Sequence, residues 1–318
     1  MELYYKYSQF LKDKYGVKTY KLPINLPLTC PNRDGFISEN GCAFCSDTGG
    51  SFEKNLEYEV KEQLLDMRDR IGEKYNAEKF IAYYQNFTNT YLPLDRLKEY
   101  VGQGLEVDKI VEIALATRPD CINKHYISNL LELINKINSN INLTLEMGLQ
   151  TANYHTLRNI NRGHTLAEFI DAVQTAKSFD LEVGVHLILN LPGDDMVDVI
   201  ENAKLMSALG VDTVKLHALY IGKATRFAEM YKNNEIEMIS LEEYIDRVIA
   251  FLEYLDPNIA VQRLLGRASG EETLFANWDM HWNKIHNKIL KKMEEKGIKQ
   301  GSKFDYLQGK ALKRFGTE

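Results

Sequence analysis

Several things are scarce in this 318-residue chain, and each shortage removes a class of protein. No apolar run approaches the ~18 residues that a helical membrane span needs, so no membrane role is expected. The opening Met1-Glu2-Leu3-Tyr4-Tyr5-Lys6 lacks a basic segment followed by an apolar one, so no secretory signal is expected. Four cysteines are too few for a disulfide framework, which points to reduced thiols and a cytoplasmic protein. With Gly 20 and Pro 7, low-complexity and collagen-like chains are excluded. No linker rich in Pro, Gly or Ser separates two domains, and no short-period repeat occurs. No histidine precedes His125.

What is present is a repeated pattern. Short apolar, β-branched runs at 19–28, 79–84, 109–116, 142–147, 181–189 and 212–219 alternate with segments of helical period. A later run spans 258–265. Leu130, Leu131, Leu133, Ile134 and Ile137 illustrate the helical spacing, as do Phe169, Ile170, Val173 and Ala176. Strands alternating with crossover helices predict an α/β fold with a parallel sheet. Six such units without a glycine-rich nucleotide motif after the first strand predict a partial (βα)6 barrel, with a doubly wound sheet as the alternative. The expected division is 1–265 for the barrel, with a cysteine loop at 29–53, and 266–318 for a helical extension. That extension is basic. Residues 281–318 carry ten basic side chains against four acidic ones, +6, which leaves −12 for the rest of a chain of net charge −6. Such a stretch is either a solvated helix face or a patch for a polyanion such as RNA.

Three cysteines share the loop after the first strand: Cys30, Cys42 and Cys45, spaced C-x11-C-x2-C. In a barrel, chemistry sits where the strands end. A structural zinc site wants four ligands, and no histidine is nearby. Zinc would need Cys121 as the fourth. Thiolates also hold iron–sulfur clusters, and three cysteines on a four-iron cube leave one iron open for a ligand. Unrelated free thiols are the remaining alternative. On the sixth strand, Lys215 and His217 share one face by the period of two, where a barrel interior normally takes Val, Ile or Leu. They predict a polar mouth able to bind an anionic substrate group, unless both heads turn to solvent. Glu146 and Arg263 are second candidates for the same mouth. Cys121 is either a plain buried cysteine or a thiol that quenches a radical or binds substrate.

The loop from Thr29 to Gly35 and the segment Gly41-Cys42-Ala43-Phe44-Cys45 resemble the YhcC/YtqA group of radical S-adenosylmethionine enzymes, relatives of the radical domain of the Elongator catalytic subunit. The likeness extends over nearly the whole chain. It includes residues 80–91, Thr117-Arg118-Pro119-Asp120, Gly148-Leu149-Gln150-Thr151, Asn161-Arg162-Gly163-His164, Leu191-Pro192-Gly193, Lys215-Leu216-His217 and Gln262-Arg263-Leu264. The resemblance implies a [4Fe-4S] cluster on Cys30, Cys42 and Cys45, and S-adenosylmethionine cleaved to a 5′-deoxyadenosyl radical. It implies Phe44 near the adenine, Gln150 and Arg162 on the ribose and methionine carboxylate, and His186 on the ribose side. Two departures stand out. Tyr84-Gln85-Asn86 replaces the Gly-Gly-Glu that many relatives use for the methionine amino group, and Ala116 stands where many carry an acidic residue.

The same resemblance implies work on the carbon-5 side chain of the tRNA wobble uridine, turning carboxymethylaminomethyl into aminomethyl. The implied partners are tRNA, an electron donor such as flavodoxin or ferredoxin, and a downstream tRNA methyltransferase. Acetyl-CoA chemistry is not expected. The rival readings are the same radical chemistry on a small metabolite or protein residue, and a non-catalytic iron–sulfur electron carrier. An electron carrier has no use for an amino-acid clamp such as Gln150 and Arg162.

Overall fold

The computed structural model describes residues 2–45, 58–267 and 272–316. The end of the cysteine loop, 46–53, and the acidic terminus Glu318 lie outside them. Among the described residues there are nine strands: β1 (Thr19–Ile24), β2 (Lys79–Tyr84), β3 (Ile110–Thr117), β4 (Asn142–Gln150), β5 (Glu182–Ile188), β6 (Thr213–His217), β7 (Ile221–Gly222), β8 (Ala260–Arg263) and β9 (Thr273–Phe275). Helices α1 (Tyr7–Tyr15), α2 (Val60–Tyr75), α3 (Leu94–Leu105), α4 (Lys124–Asn138), α5 (Tyr154–Asn159), α6 (Leu166–Lys177), α7 (Met196–Leu209), α8 (Arg226–Lys232), α9 (Leu241–Tyr254) and α10 (Trp282–Lys296) complete the set.

Seven strands form one parallel sheet in the order β1-β2-β3-β4-β5-β6-β8. The order never reverses, so there is no switch point and the doubly wound alternative falls. The expected six units hold, and the late run adds a seventh strand. The sheet is strongly curved. Lys21 on β1 donates to Gln262 Oε1 on β8 at 3.0 Å, although those strands are the two edges of the sheet. The result is a half-barrel, open between β1 and β8.

Alternation along each strand decides which side chains enter the barrel. Leu22, Ile24, Leu145, Met147, Val183, Val185, Val214 and Leu216 face outward and pack under the helices, against Leu64, Leu97, Leu130, Phe169 and Val248. The intervening residues face inward. At the lower end, α1 fills the interior: Leu11 packs with Ile81, Tyr83, Ala114 and Ala116. Lys14 anchors α1 there, 3.0 Å from buried Glu112 and 2.6 Å from Glu182. A bridge between Lys6 and Val261 ties the same segment to β8.

After β8, β9 pairs antiparallel with β7. Helix α10 then buries Ile285, Ile289 and Met293 and packs on α9. Several of its lysines are already paired. Lys292 lies 2.8 Å and Lys296 3.9 Å from Asp246, and Lys291 lies 3.7 Å from Glu295.

Candidate active site at the strand ends

The cysteine loop leaves the top of β1 and folds back on the segment after α5. Two tight turns shape it, closed by Arg33 N–H to the Cys30 carbonyl (2.8 Å) and Cys45 N–H to the Cys42 carbonyl (2.9 Å). Asn161 then donates to the Gly41 carbonyl at 2.7 Å, and Asn32 donates to the Asn161 carbonyl at 2.6 Å. Gly163 is needed at this junction. Its φ is +81°, and a Cβ there would stand 2.6 Å from Asn32 Oδ1.

Cys30, Cys42 and Cys45 line one cavity of about 150 Å³. Cys30 and Cys42 are buried and Cys45 is partly so. Nitrogen donors face two of the sulfurs: Asn32 and Arg162 each reach Cys42 Sγ at 3.5 Å, and Arg33 reaches Cys45 Sγ at 3.9 Å. Burial, with repulsion from Cys42, pushes the Cys45 thiol up to about 11, while Arg33 opposes the shift. A metal-free thiolate is therefore disfavoured, and a bound cation would reverse that preference. Among the described residues, no three or more His, Cys, Asp or Glu side chains are grouped as ligands of a metal ion. Cys121 does not line the cavity of these three cysteines. Three thiols with N–H donors to sulfur and no histidine fit an iron–sulfur cluster as a donor set.

Arg162 is buried beside them. It donates to the Gly148 carbonyl at 2.6 Å, and its Nε has no partner. Gly148 permits this approach, because a Cβ there would lie 2.8 Å from Arg162 Nη2 and 2.7 Å from Gln150 Nε2. Gln150 follows a register shift against β5 and takes φ +79°, which turns the strand end into the cavity wall. Behind Arg162, the fully buried Arg118 holds Asp120 through two bonds, 2.8 and 2.7 Å, and donates to the Arg162 carbonyl at 2.8 Å.

A second cavity, about 580 Å³, opens beside the first. Phe44, Gln85, Gln150 and His186 line both. Its floor is a row of paired positions: His186 sits opposite Lys215, and Lys215 opposite Arg263. The buried Glu146 carboxylate organises this row. It accepts from Lys21 and Gln262 on one oxygen, and meets His186 at 2.8 Å and Lys215 at 3.5 Å on the other. Lys21 and Lys215, with the hydrogen bond from His186, hold Glu146 well below the usual carboxylate range despite its burial. Burial lowers Lys215 to about 7, with Glu146 opposing and Arg263 and Lys21 assisting. The Lys215 ammonium also donates to the Tyr83 hydroxyl at 3.0 Å. Burial lowers His186 to about 4. Arg263 Nη2 lies 2.7 Å from His217 Nδ1 and 3.0 Å from Nε2. A guanidinium only donates, so His217 accepts and its ring is neutral.

The structure thus brings Cys30, Cys42, Cys45, Phe44, Gln150, Arg162 and His186 around one cavity, and Lys215 and His217 into the cavity beside it. Lys215 and His217 face inward rather than toward the helices. Cys121 lies on the short turn after β3, with Sγ 3.9 Å from Asp120, and lines neither cavity. Burial raises its thiol to about 12. At the position of the missing Gly-Gly-Glu, Asn86 is committed to Leu26, accepting from its N–H at 2.9 Å and donating to its carbonyl at 2.8 Å. Sequence reasoning missed Lys21, Tyr83 and Gln262. Their signal was polar residues at inward positions of otherwise apolar strands.

A model of the Radical SAM superfamily matches residues 30–206, and a Radical_SAM C-terminal domain model matches residues 211–295. YtqA of Bacillus subtilis is 33% identical over 306 residues, 96% of this chain and 94% of YtqA. A tRNA uridine(34) acetyltransferase of Methanocaldococcus jannaschii is 28% identical over 156 residues, 47% of this chain and 27% of that protein. Among solved structures, Methanocaldococcus infernus Elp3 without its N-terminus shares the fold, with a TM-score of 0.69 at 17% identity. That match covers 89% of this chain and 64% of the Elp3 chain.

Proposed function

Because this chain belongs to the Radical SAM superfamily, whose enzymes use a [4Fe-4S] cluster and S-adenosylmethionine, we propose that it modifies the carbon-5 side chain of the tRNA wobble uridine, converting carboxymethylaminomethyl to aminomethyl. When bound, the cluster supplies the electron that cleaves S-adenosylmethionine. Cys30, Cys42 and Cys45 would hold it. Phe44, Gln150, Arg162 and His186 would hold the S-adenosylmethionine, at the wall shared by the two cavities.

The observation that carries this reading is the 580 Å³ cavity joined to the cysteine cavity, with cationic Lys215 and Arg263 on its floor. It is wide enough for a modified nucleobase and its charge suits an acidic side chain. The similarity to a protein named for acetylating tRNA uridine 34 supports a nucleoside of the same position. Lys215, held against Tyr83 and near neutrality in its proton affinity, can give or take a proton beside the reacting group. Neutral His217 positions Arg263. Cys121, outside both cavities, is left a structural role.

We place the reaction in the cytoplasm, with a flavodoxin or ferredoxin as electron donor and a tRNA methyltransferase consuming the product. Among the described residues, no helix is long and apolar enough to cross a membrane. The test is nucleoside analysis of tRNA from a strain lacking the gene. Carboxymethylaminomethyl uridine should accumulate at the expense of aminomethyl and its methylated form. An unchanged profile would remove tRNA as the substrate.

A further inference from the structure

We propose that Arg263, with His217 and Lys215 beside it, is the seat of a substrate carboxylate. Arg263 lines the 580 Å³ cavity and also a third cavity of about 940 Å³, which opens at the gap between β1 and β8 beneath α1. Lys215, Tyr83 and Gln262 line both as well, so the two spaces meet at this point.

The charge balance there is incomplete. Glu146 is the buried carboxylate bonded to this floor, and both its oxygens are occupied by Lys21, Gln262, His186 and Lys215. No carboxylate among the described residues forms an ion pair with Arg263. Its hydrogen-bond partner in the cavity is the neutral ring of His217, and its Nε is buried with no partner. Burying a guanidinium without a counterion is unfavourable, and an entering anion relieves that cost. A planar guanidinium suits a carboxylate, which can accept two parallel N–H bonds. A monoanion also fits better than a phosphate dianion, because Glu146 already places one negative charge in the same row. The seat itself stands on this geometry. Its occupant, the carboxymethyl end of the uridine side chain, rests on the function proposed above.

Two arms test it. In the first, thermal unfolding of the full-length protein is followed in acetate, in inorganic phosphate and in chloride at matched ionic strength. Acetate should raise the melting temperature above chloride by a few degrees, and Arg263→Gln should remove that rise. Arg263→Lys, which keeps the charge but loses the fork, should retain less than half of it and serves if the Gln variant does not fold. A rise that survives in both variants, no rise in the wild type, or a rise with phosphate alone overturns the carboxylate seat. In the second arm, anticodon stem-loops bearing carboxymethylaminomethyl or aminomethyl uridine are compared. The wild type should prefer the carboxylate form by roughly tenfold or more, and Arg263→Gln should bring the ratio near one. If acetate behaves as expected but neither RNA binds, the seat stands and the wobble-uridine reading fails. If both RNAs bind the wild type equally, the seat is overturned while RNA remains the substrate.

Discussion

At the cysteine end, side chains reach the cavity from loops, and the loops are pinned by backbone turns and by Asn32 and Asn161. On and beneath the floor of the neighbouring cavity, Lys21, Glu146, His186, Lys215 and Arg263 rise from five different strands. The first region offers three sulfur ligands around one cavity. The second is charged before anything binds, with Lys21, His186 and Lys215 gathered on Glu146 and Arg263 left to His217. A loop can carry a ligand set because the metal completes its order. A buried charge row has no such help and needs the rigidity of a sheet.

Removing a cysteine is the most damaging way to break this contrast. Anaerobic reconstitution should load about four irons per chain, and Cys30→Ala, Cys42→Ala or Cys45→Ala should each abolish loading, because three ligands leave no redundancy. Cys121→Ala should keep its iron. Loss of iron from that variant would show that the fourth cysteine is a ligand.

In the charge row, the corresponding blow is Glu146→Gln. It leaves Lys21 and Lys215 without their shared carboxylate, and a broken buried pair typically costs ~3–5 kcal/mol. Urea unfolding at neutral pH should register the loss while iron loading is spared. The sign with pH follows from the depressed proton affinity of Glu146. Its contribution is present above the unfolded carboxylate value of roughly 4.3 and disappears as pH falls through the folded one. The gap between wild type and variant should therefore close in acid. A gap independent of pH would assign the effect to packing.

Arg162 belongs to the cysteine end but touches no backbone turn of that loop, so it should affect cofactor more than fold. Arg162→Ala should keep its cluster and bind S-adenosylmethionine more weakly by ~1.5–3 kcal/mol, measured by anaerobic calorimetry. Unchanged affinity would remove Arg162 from the site.

The smallest effect is expected far from both regions. Replacing Lys288, Lys291, Lys292 and Lys296 by Gln should flatten the salt dependence of tRNA binding, by roughly 0.7–0.9 in slope for each phosphate no longer neutralised. Lys291, Lys292 and Lys296 already face Glu295, Glu242 and Asp246, so the change should be smaller than four free lysines would give. An unchanged slope would leave α10 a solvated helix face.

Much of the fold is legible in the sequence, for identifiable reasons. Strand 79–84 matches to the residue because its apolar run is bounded by charge and by a turn. The cysteine spacing and Arg162 are local motifs, so they survive without knowledge of the fold. Runs 19–28 and 212–219 overshoot their strands, since apolar residues continue past Ile24 and His217 into loops buried over the strand ends. The pairing of Lys21 with Glu146 is not legible at all. It depends on how tightly the sheet curls, which brings a first strand against a fourth. Nor does the sequence say that three basic tail residues are paired with Asp246, Glu242 and Glu295.

Helix α1 has a consequence for the order in which the protein is made. Strands β1 to β5 each pair with the strand synthesised next, so the sheet can grow as the chain leaves the ribosome. The first segment cannot settle in the same way. Val261 donates to the Tyr5 carbonyl at 2.8 Å, and Gln300 accepts from Tyr5 N–H at 2.9 Å, so the segment before α1 awaits partners that follow the sheet strands in the chain. Closure of the half-barrel then follows growth of the sheet. Until it happens the interior lysines remain hydrated, and the row around Glu146 is dehydrated only when the two ends of the chain meet.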